Sequence, residues 1–319
     1  MKALSVGLSI VACALPSSAD AKAPRAPTPS ITASTDPAVI ARGRYLGTAV
    51  AQCSLCHGAV PADGTEPTDL DSPLSGGLTW RVPGFVTMVA ANISPDPDGG
   101  VGAWSDGELA RVIRFAVGPD DKLRPLMFFH GGPMGDQDLQ AVVSWIRSTP
   151  PDPTVRPEEK MSLLGRLFLS SIKPRDGTGP PFVPEGEASI GRGRYLAEGP
   201  ANCGMCHSPM KGLEQVEPRF SGGTRAEVDL HEAGMEWLAP NLTPDPETGR
   251  IAAWSEEQFV ARFQAGTEEE HPLMPWNAYR HMTEEDLASI YRYLMSLPPT
   301  EHETGPGHRE RGWKPEKNK

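Results

Sequence analysis

Cys53-Ser54-Leu55-Cys56-His57 and, 150 residues further on, Cys203-Gly204-Met205-Cys206-His207 decide how this chain is read. The C-x-x-C-H spacing suits covalent attachment of c-type haem: two thiols add across the two vinyl groups of one macrocycle, and the adjacent histidine offers a nitrogen to the iron. On a helix, positions i, i+3 and i+4 share a face, so all three side chains meet one macrocycle. A lone C-x-x-C also fits a redox disulfide or half of a zinc site. Two copies, each followed at once by histidine, set those readings aside. Two covalently bound haem c groups (iron) are therefore expected, on Cys53, Cys56, Cys203 and Cys206, with His57 and His207 as iron ligands.

The sequence around the two motifs is also repeated. Ala41-Arg42-Gly43-Arg44-Tyr45-Leu46 returns as Gly191-Arg192-Gly193-Arg194-Tyr195-Leu196, and Ser75-Gly76-Gly77 as Ser221-Gly222-Gly223. Asn92-Ile93-Ser94-Pro95-Asp96-Pro97 returns as Asn241-Leu242-Thr243-Pro244-Asp245-Pro246, Ala103-Trp104-Ser105 as Ala253-Trp254-Ser255, and Asp138-Leu139 as Asp286-Leu287. This is a duplicated unit rather than a stacked array. The order expected along the chain is a signal peptide over 1–21, a disordered tether over 22–37, a first domain over 38–150, a Pro-rich linker over 151–186, a second domain over 187–299 and a polar, mobile tail over 300–319. At 319 residues each domain can bury its own core around a large cofactor.

Capping boxes at Ser105-Asp106-Gly107-Glu108 and Ser255-Glu256-Glu257-Gln258 predict a helix after each tryptophan. Leu139, Val142, Val143 and Ile146, and Leu287, Ile290, Tyr291 and Leu294, predict the closing helix of each repeat. Gly- and Pro-rich loops fill the intervals with little strand alternation, so the fold class is all-α with much irregular backbone. Within the linker, Met161, Leu164 and Phe168 predict a short amphipathic helix packed between the domains.

The leader, an apolar run from Ala3 to Leu15 followed by small residues to Ala21, implies export to a bacterial periplasm. A rival reading takes Ile10-Val11-Ala12-Cys13 as a lipidation site at Cys13. No segment of the mature chain has the roughly 18 apolar residues a membrane span requires. Four of the five cysteines lie in the two motifs and the fifth is Cys13, which leaves none for a structural disulfide. The net charge of −11 argues against nucleic acid as a partner.

The ligand on the other side of each iron decides whether it binds small molecules or passes electrons. His130 and His271 occupy unmatched positions, one after and one before a Pro-Leu-Met segment. Met127 and Met274 match, and are the expected axial ligands. Met134 and Met282 also match, but each precedes a helix start, where an apolar side chain staples the first turn. Gly43 and Gly193 let the first helix of each repeat approach the last, against Trp145 and Tyr293. Trp104 and Trp254 read as core or as donors to haem propionates, and Arg44 and Arg194 as propionate partners or exposed helix residues. Asn92 and Asn241 sit in turns despite matching the glycosylation triplet.

Arg-Gly-Arg-Tyr-Leu before each attachment motif, the Asn-x-Ser/Thr-Pro-Asp-Pro loops, Ala-Trp-Ser, Leu273-Met274-Pro275-Trp276 and Met282-Thr283-Glu284-Glu285-Asp286-Leu287 resemble dihaem class I c-type cytochromes, which are related to the cytochrome c subunits of periplasmic alcohol, gluconate and aldehyde dehydrogenases. The resemblance covers residues 38 to 150 and 187 to 299. It implies two tandem class I cytochrome c domains with His/Met iron. Two departures stand out: Met127 is followed by Phe128 rather than proline, and no third haem domain or C-terminal anchor follows, which points to a soluble relay. The expected function is single-electron transfer, without catalysis, from a periplasmic dehydrogenase to a downstream cytochrome or oxidase. The rivals are a haem enzyme, either a dihaem peroxidase or a thiosulfate-oxidising cytochrome, with one open iron, and an integral electron-transfer subunit of a dehydrogenase complex.

Overall fold

The computed structural model describes residues 26–60, 69–82, 84–130, 132–157, 159–170, 172–212, 214–223, 227–228, 232, 234–267 and 273–313. The segment expected to be a signal peptide, with Cys13, the pair His271-Pro272 and the last six residues lie outside the described residues, as does the side chain of His130.

Each repeat is built on two helices held in close contact. In the first, α1 (Pro37–Tyr45) begins with Asp36 accepting a hydrogen bond from the Ala38 N–H and with proline at the first helical position, and it widens into a π turn over Leu46–Val50. Short α2 (Cys53–His57) follows, then α3 (Asp106–Phe115), α4 (Pro125–His130) and α5 (Asp136–Ser148). After α6 (Leu163–Ser170), the second repeat supplies α7 (Ile190–Glu198), α8 (Gly204–His207), α9 (Glu256–Ala265), α10 (Trp276–Tyr279) and α11 (Glu284–Met295). Both predicted capping boxes form, at Ser105/Glu108 and at Ser255/Gln258.

α1 crosses α5 at Gly43, and α7 crosses α11 at Gly193. A Cβ on Gly43 would lie 1.8 Å from the Ala141 carbonyl oxygen and 2.8 Å from the Trp145 Cβ. One on Gly193 would meet the Ser289 oxygen at 1.8 Å and the Tyr293 Cβ at 2.8 Å. Only glycine permits this approach, as the repeat predicts. The spaced apolar residues of α5 and α11 then lock in: Leu139, Val142, Val143, Ile146, Leu287, Ile290 and Leu294 are all buried. Fully burying each such side chain contributes about 1.5–3 kcal/mol. Met134 and Met282 are buried in the same core, as the staple reading requires.

Four findings depart from the sequence expectations. First, the buried apolar residues of both repeats form one contiguous cluster, from Leu46 and Trp145 to Tyr195 and Leu294, rather than two separate cores. Second, three small sheets accompany the helices among the described residues. The strands β1 (Thr79–Val82), β2 (Val86–Val89) and β3 (Lys160–Met161) pair antiparallel, so the linker contributes a strand to the first repeat. β4 (Met210–Lys211) pairs with β5 (Glu214–Gln215). β6 (Glu227–Val228), β7 (Met235–Trp237) and β8 (His308–Glu310) form the third sheet, so the polar tail returns as an edge strand. Its Arg309 pairs with Glu236 at 3.0 Å and stacks over Trp313. Strands of two to four residues are too short to show as alternation in sequence.

Third, the segment read as a disordered tether is held from Ala26 onward. Arg111, buried in α3, donates to the Ala26 carbonyl at 3.0 Å; Asp106 accepts from the Ala33 N–H at 2.7 Å; and Ser144 accepts from the Ser34 N–H at 2.8 Å. The partners lie 73 to 110 residues away, so local composition cannot reveal them. Fourth, α6 forms, but three of its leucines do not pack between the repeats: Leu163, Leu164 and Leu167 are 75%, 67% and 57% exposed. The helix docks through Gly165, where a Cβ would lie 2.7 Å from the Phe85 carbonyl oxygen, and that orientation leaves Leu163, Leu164 and Leu167 outward.

Candidate haem centres

The two attachment helices are built alike. α2 carries Cys53, Cys56 and His57 in one turn, and Cys203 caps α8, which carries Cys206 and His207. The residue before each first cysteine, Gln52 or Asn202, is in the left-handed region at φ 58° and 47°, which turns the chain sharply into the helix. Neither residue was singled out from sequence.

Each histidine has one nitrogen already committed. His57 Nδ1 lies 2.7 Å from the Ala91 carbonyl oxygen and His207 Nδ1 lies 3.0 Å from that of Pro240. With Nδ1–H donated to a carbonyl, the tautomer is fixed and the Nε2 lone pair is left to bind a metal. Burial lowers the pKa of both imidazoles, which keeps them in the neutral, ligating form. The two accepting carbonyls precede Asn92 and Asn241, so the repeated Asn-x-Ser/Thr-Pro-Asp-Pro loops serve to orient the histidines. Gly76, at φ +66°, makes room for this contact: a Cβ there would lie 2.3 Å from the Ala91 oxygen. Gly76 N–H also bonds the His57 carbonyl at 2.8 Å, as Gly222 N–H bonds that of His207 at 2.9 Å.

The asparagines are fastened in turn. Asn92 Nδ2 donates to the carbonyls of Asp152 (2.7 Å) and Thr154 (3.0 Å), and Asn241 Nδ2 donates to that of Thr300 (2.8 Å). Both are buried, which removes them as glycan acceptors. The chain leaving the last helix of each repeat thus clamps the loop that aims the histidine.

Burial pushes the Cys53 thiol up to about 11 and the Cys203 thiol up to about 12. Among the described residues no group of three or more His, Cys, Asp or Glu side chains is placed to hold a bare metal ion. This donor set fits haem: two thiols and an oriented imidazole on one helical turn, twice.

The methionines are placed less alike. Met127 rides in the first turn of α4, whereas Met274 lies in a bend two residues before α10, its carbonyl accepting from the Trp276 N–H at 2.8 Å. Both side chains are half-buried, and Met274 packs against the common core. Arg44 and Arg194 are exposed and paired with Asp71 and Glu198. Trp104 and Trp254 pack against the core.

It is the first arginine of each Arg-Gly-Arg that is structural. Arg42 grips Asp138 through two bonds of 3.0 Å, and Arg192 grips Asp286 at 2.8 and 3.0 Å. The tyrosines then cross over: Tyr45 donates to Asp286 and Tyr195 to Asp138, each at 2.8 Å. The Thr283 and Gly135 N–H groups complete the exchange by donating to the Tyr45 and Tyr195 hydroxyls, each at 3.2 Å. Beside its carboxylate, burial pushes each phenol well above its ordinary pKa, so each remains a donor.

No family model matches the chain. Among curated proteins it is 28% identical over 288 residues to the cytochrome c subunit of a quinone-linked alcohol dehydrogenase from Gluconacetobacter polyoxogenes, an alignment covering 84% of this chain and 58% of that protein. It is 29% identical over 265 residues to a dihaem c-type cytochrome of Cereibacter sphaeroides, covering 78% and 83%. The chain is related to these c-type cytochromes. It is also 27% identical over 288 residues to the cytochrome c subunit of gluconate 2-dehydrogenase from Pantoea cypripedii, covering 82% and 60%. The chain therefore spans somewhat more than half the length of these two dehydrogenase subunits. Among the described residues no helix is long and apolar enough to cross a membrane.

Proposed function

We propose that this chain is an exported dihaem cytochrome c that receives single electrons from a periplasmic dehydrogenase and hands them to a downstream cytochrome or oxidase. The observation that carries the reading is the matched pair of attachment turns, each with its histidine Nδ1 committed to a carbonyl. Cys53 and Cys56 would tether one haem and Cys203 and Cys206 the other, in cytochrome c domains spanning 38–150 and 187–299. When bound, the haem iron supplies reversible one-electron chemistry. The protein's own residues orient the imidazoles, exclude water and fix the spacing of the two sites. Met127 and Met274 would complete the ligand set of the irons held by His57 and His207, and a thioether ligand would raise their potentials relative to paired histidines.

The test is the ferric optical spectrum of the holoprotein together with its haem content. Two haems per chain and two haems' worth of the weak far-red methionine-to-iron band support the reading. A single haem, or a high-spin signature from one site, overturns the doubly closed carrier.

A second reading, an integral subunit of a dehydrogenase complex, is favoured by the outward leucines of α6 and by the subunit names of the relatives. Co-purification with a large catalytic subunit supports it, and a strictly monomeric isolate counts against it.

A further inference from the structure

The two attachment segments are joined by a single buried side chain. Tyr279, at the end of α10, is 5% exposed. Its hydroxyl donates to the Ala201 carbonyl at 3.0 Å and accepts from Gln52 Nε2. Gln52 is bonded directly to Cys53, and Ala201 is separated from Cys203 by Asn202 alone. Cys53 and Cys203 both pack against the common core. A continuous path therefore runs from Cys53 through the Gln52 side chain, the Tyr279 hydroxyl and the Ala201 carbonyl to Cys203.

A buried phenol needs hydrogen-bond partners, and any two polar groups satisfy that need. Here the two partners belong to the two attachment segments, and both sit at left-handed turns: Gln52 is one such residue, and Ala201 precedes the other, Asn202. The arrangement is also one-sided. Where the second repeat has Tyr279, the first has Gly131-Gly132, and a Cβ on Gly132 would lie 1.8 Å from the Gly199 carbonyl oxygen. The first repeat's ligand loop thus touches the second through backbone, while the second reaches the first through a phenol.

We propose that Tyr279 bridges the two haem-attachment segments and carries the electronic coupling between the sites. This rests on the dihaem reading above. Bonded and hydrogen-bonded links couple donor and acceptor orbitals better than gaps between side chains, and hydrogen-bonded chains in a low-dielectric interior polarise cooperatively. One electron leaves one site and arrives at the other. Tyr279 keeps its proton and its electrons, and no bond is made or broken. Gln52 is a positioning residue, holding the phenol from the Cys53 side.

The test uses holoprotein carrying Tyr279→Phe, which keeps the ring in the core and removes only the hydroxyl. Gln52→Met breaks the other arm without touching the tyrosine, and Tyr45→Phe is a control that cuts a hydrogen bond between the repeats away from the attachment turns. Haem content is measured first, then the two midpoint potentials, the thermal midpoint, the redox-difference infrared spectrum in the phenol C–O region, and the relaxation of half-reduced protein after a temperature jump. The expected result is loss of the fast inter-haem phase in Tyr279→Phe and Gln52→Met but not in Tyr45→Phe. Both potentials should be retained, and a wild-type phenol band that responds to reduction should vanish in Tyr279→Phe. An unchanged fast phase in Tyr279→Phe with two haems bound overturns the bridge and leaves the dihaem reading intact. Equal slowing in Tyr45→Phe, or a common shift of both potentials, reduces Tyr279 to a packing role and also overturns it. A haem content other than two overturns the reading beneath.

Discussion

Gly193→Ala sets two effects of opposite sign against each other. Alanine in a helix interior is favoured over glycine by about 0.8–1.0 kcal/mol. Against this, the new Cβ would sit 1.8 Å from the Ser289 carbonyl oxygen, where ordinary contact begins at 3.4 Å, and 2.8 Å from the Tyr293 Cβ. The obstructing atom is backbone within α11, so no side-chain rotation relieves it and the two helices must separate. Overpacking of this kind costs about 1–3 kcal/mol where side chains can adjust, and a rigid carbonyl places this site at or above the upper end. A net loss of about 2 kcal/mol is expected, which in a chain of 319 residues lowers the thermal midpoint by about 3 °C. Thermal unfolding of the holoprotein followed by far-ultraviolet circular dichroism measures it. A variant as stable as the parent, or more stable, would show that helix propensity outweighs the clash and that the close crossing of α7 on α11 is wrong. Gly43→Ala, with its Cβ 1.8 Å from the Ala141 oxygen, should behave alike.

Asp286→Asn should cost about 3 kcal/mol by denaturant titration, because Arg192, 2% exposed, keeps its charge and loses its carboxylate; a loss within error of zero refutes the buried pair. Tyr195→Phe should cost about 1 kcal/mol, the net worth of one hydrogen bond, and it should add to Tyr45→Phe, since the two tyrosines bond different aspartates. Met274→Ala should remove one haem's share of the far-red methionine band and lower one midpoint potential; an intact band rules Met274 out as a ligand. Burial works to raise the Asp106 carboxyl, but bonds from the Ala33 N–H and from Arg147 outweigh it and hold the group below its ordinary value of 3.8. The stability gap between the parent and Asp106→Asn should therefore be complete above about pH 4 and close as the pH falls through the depressed pKa. A gap that persists in strong acid refutes the anchoring role.

Covalent chemistry leaves its mark locally, and so the attachment turns were legible in the sequence. Five adjacent residues specify each one, and the capping boxes and spaced leucines of α5 and α11 are equally local. Gly43 and Gly193 were legible because the repeat displayed them twice. The tyrosine exchange was not legible. Tyr45 with Asp138 and Tyr45 with Asp286 are the same pair of residue types, so the sequence cannot distinguish bonding within a repeat from bonding between repeats. In sequence Arg44 and Arg194 are as plausible propionate partners as exposed helix residues, while Arg42 and Arg192, two positions earlier, carry the buried pairs. The Ser-Gly-Gly and Asn-x-Ser/Thr segments were visible as echoes, but their task of aiming His57 and His207 depends on backbone carbonyls, which every residue possesses. Tyr279 had no echo at all.

The exchange of Tyr45 to Asp286 and Tyr195 to Asp138 has the form of an isologous contact, in which residue i of one unit meets j of the other and j meets i. Such a surface is self-complementary. A half chain ending near residue 150 would present Tyr45 and Asp138 together with an uncovered apolar face, and its best available partner would be a second copy of itself. Within the intact chain that tendency is satisfied internally. The linker holds the two halves at high effective concentration, so the full-length protein behaves as a closed dimer of its own repeats.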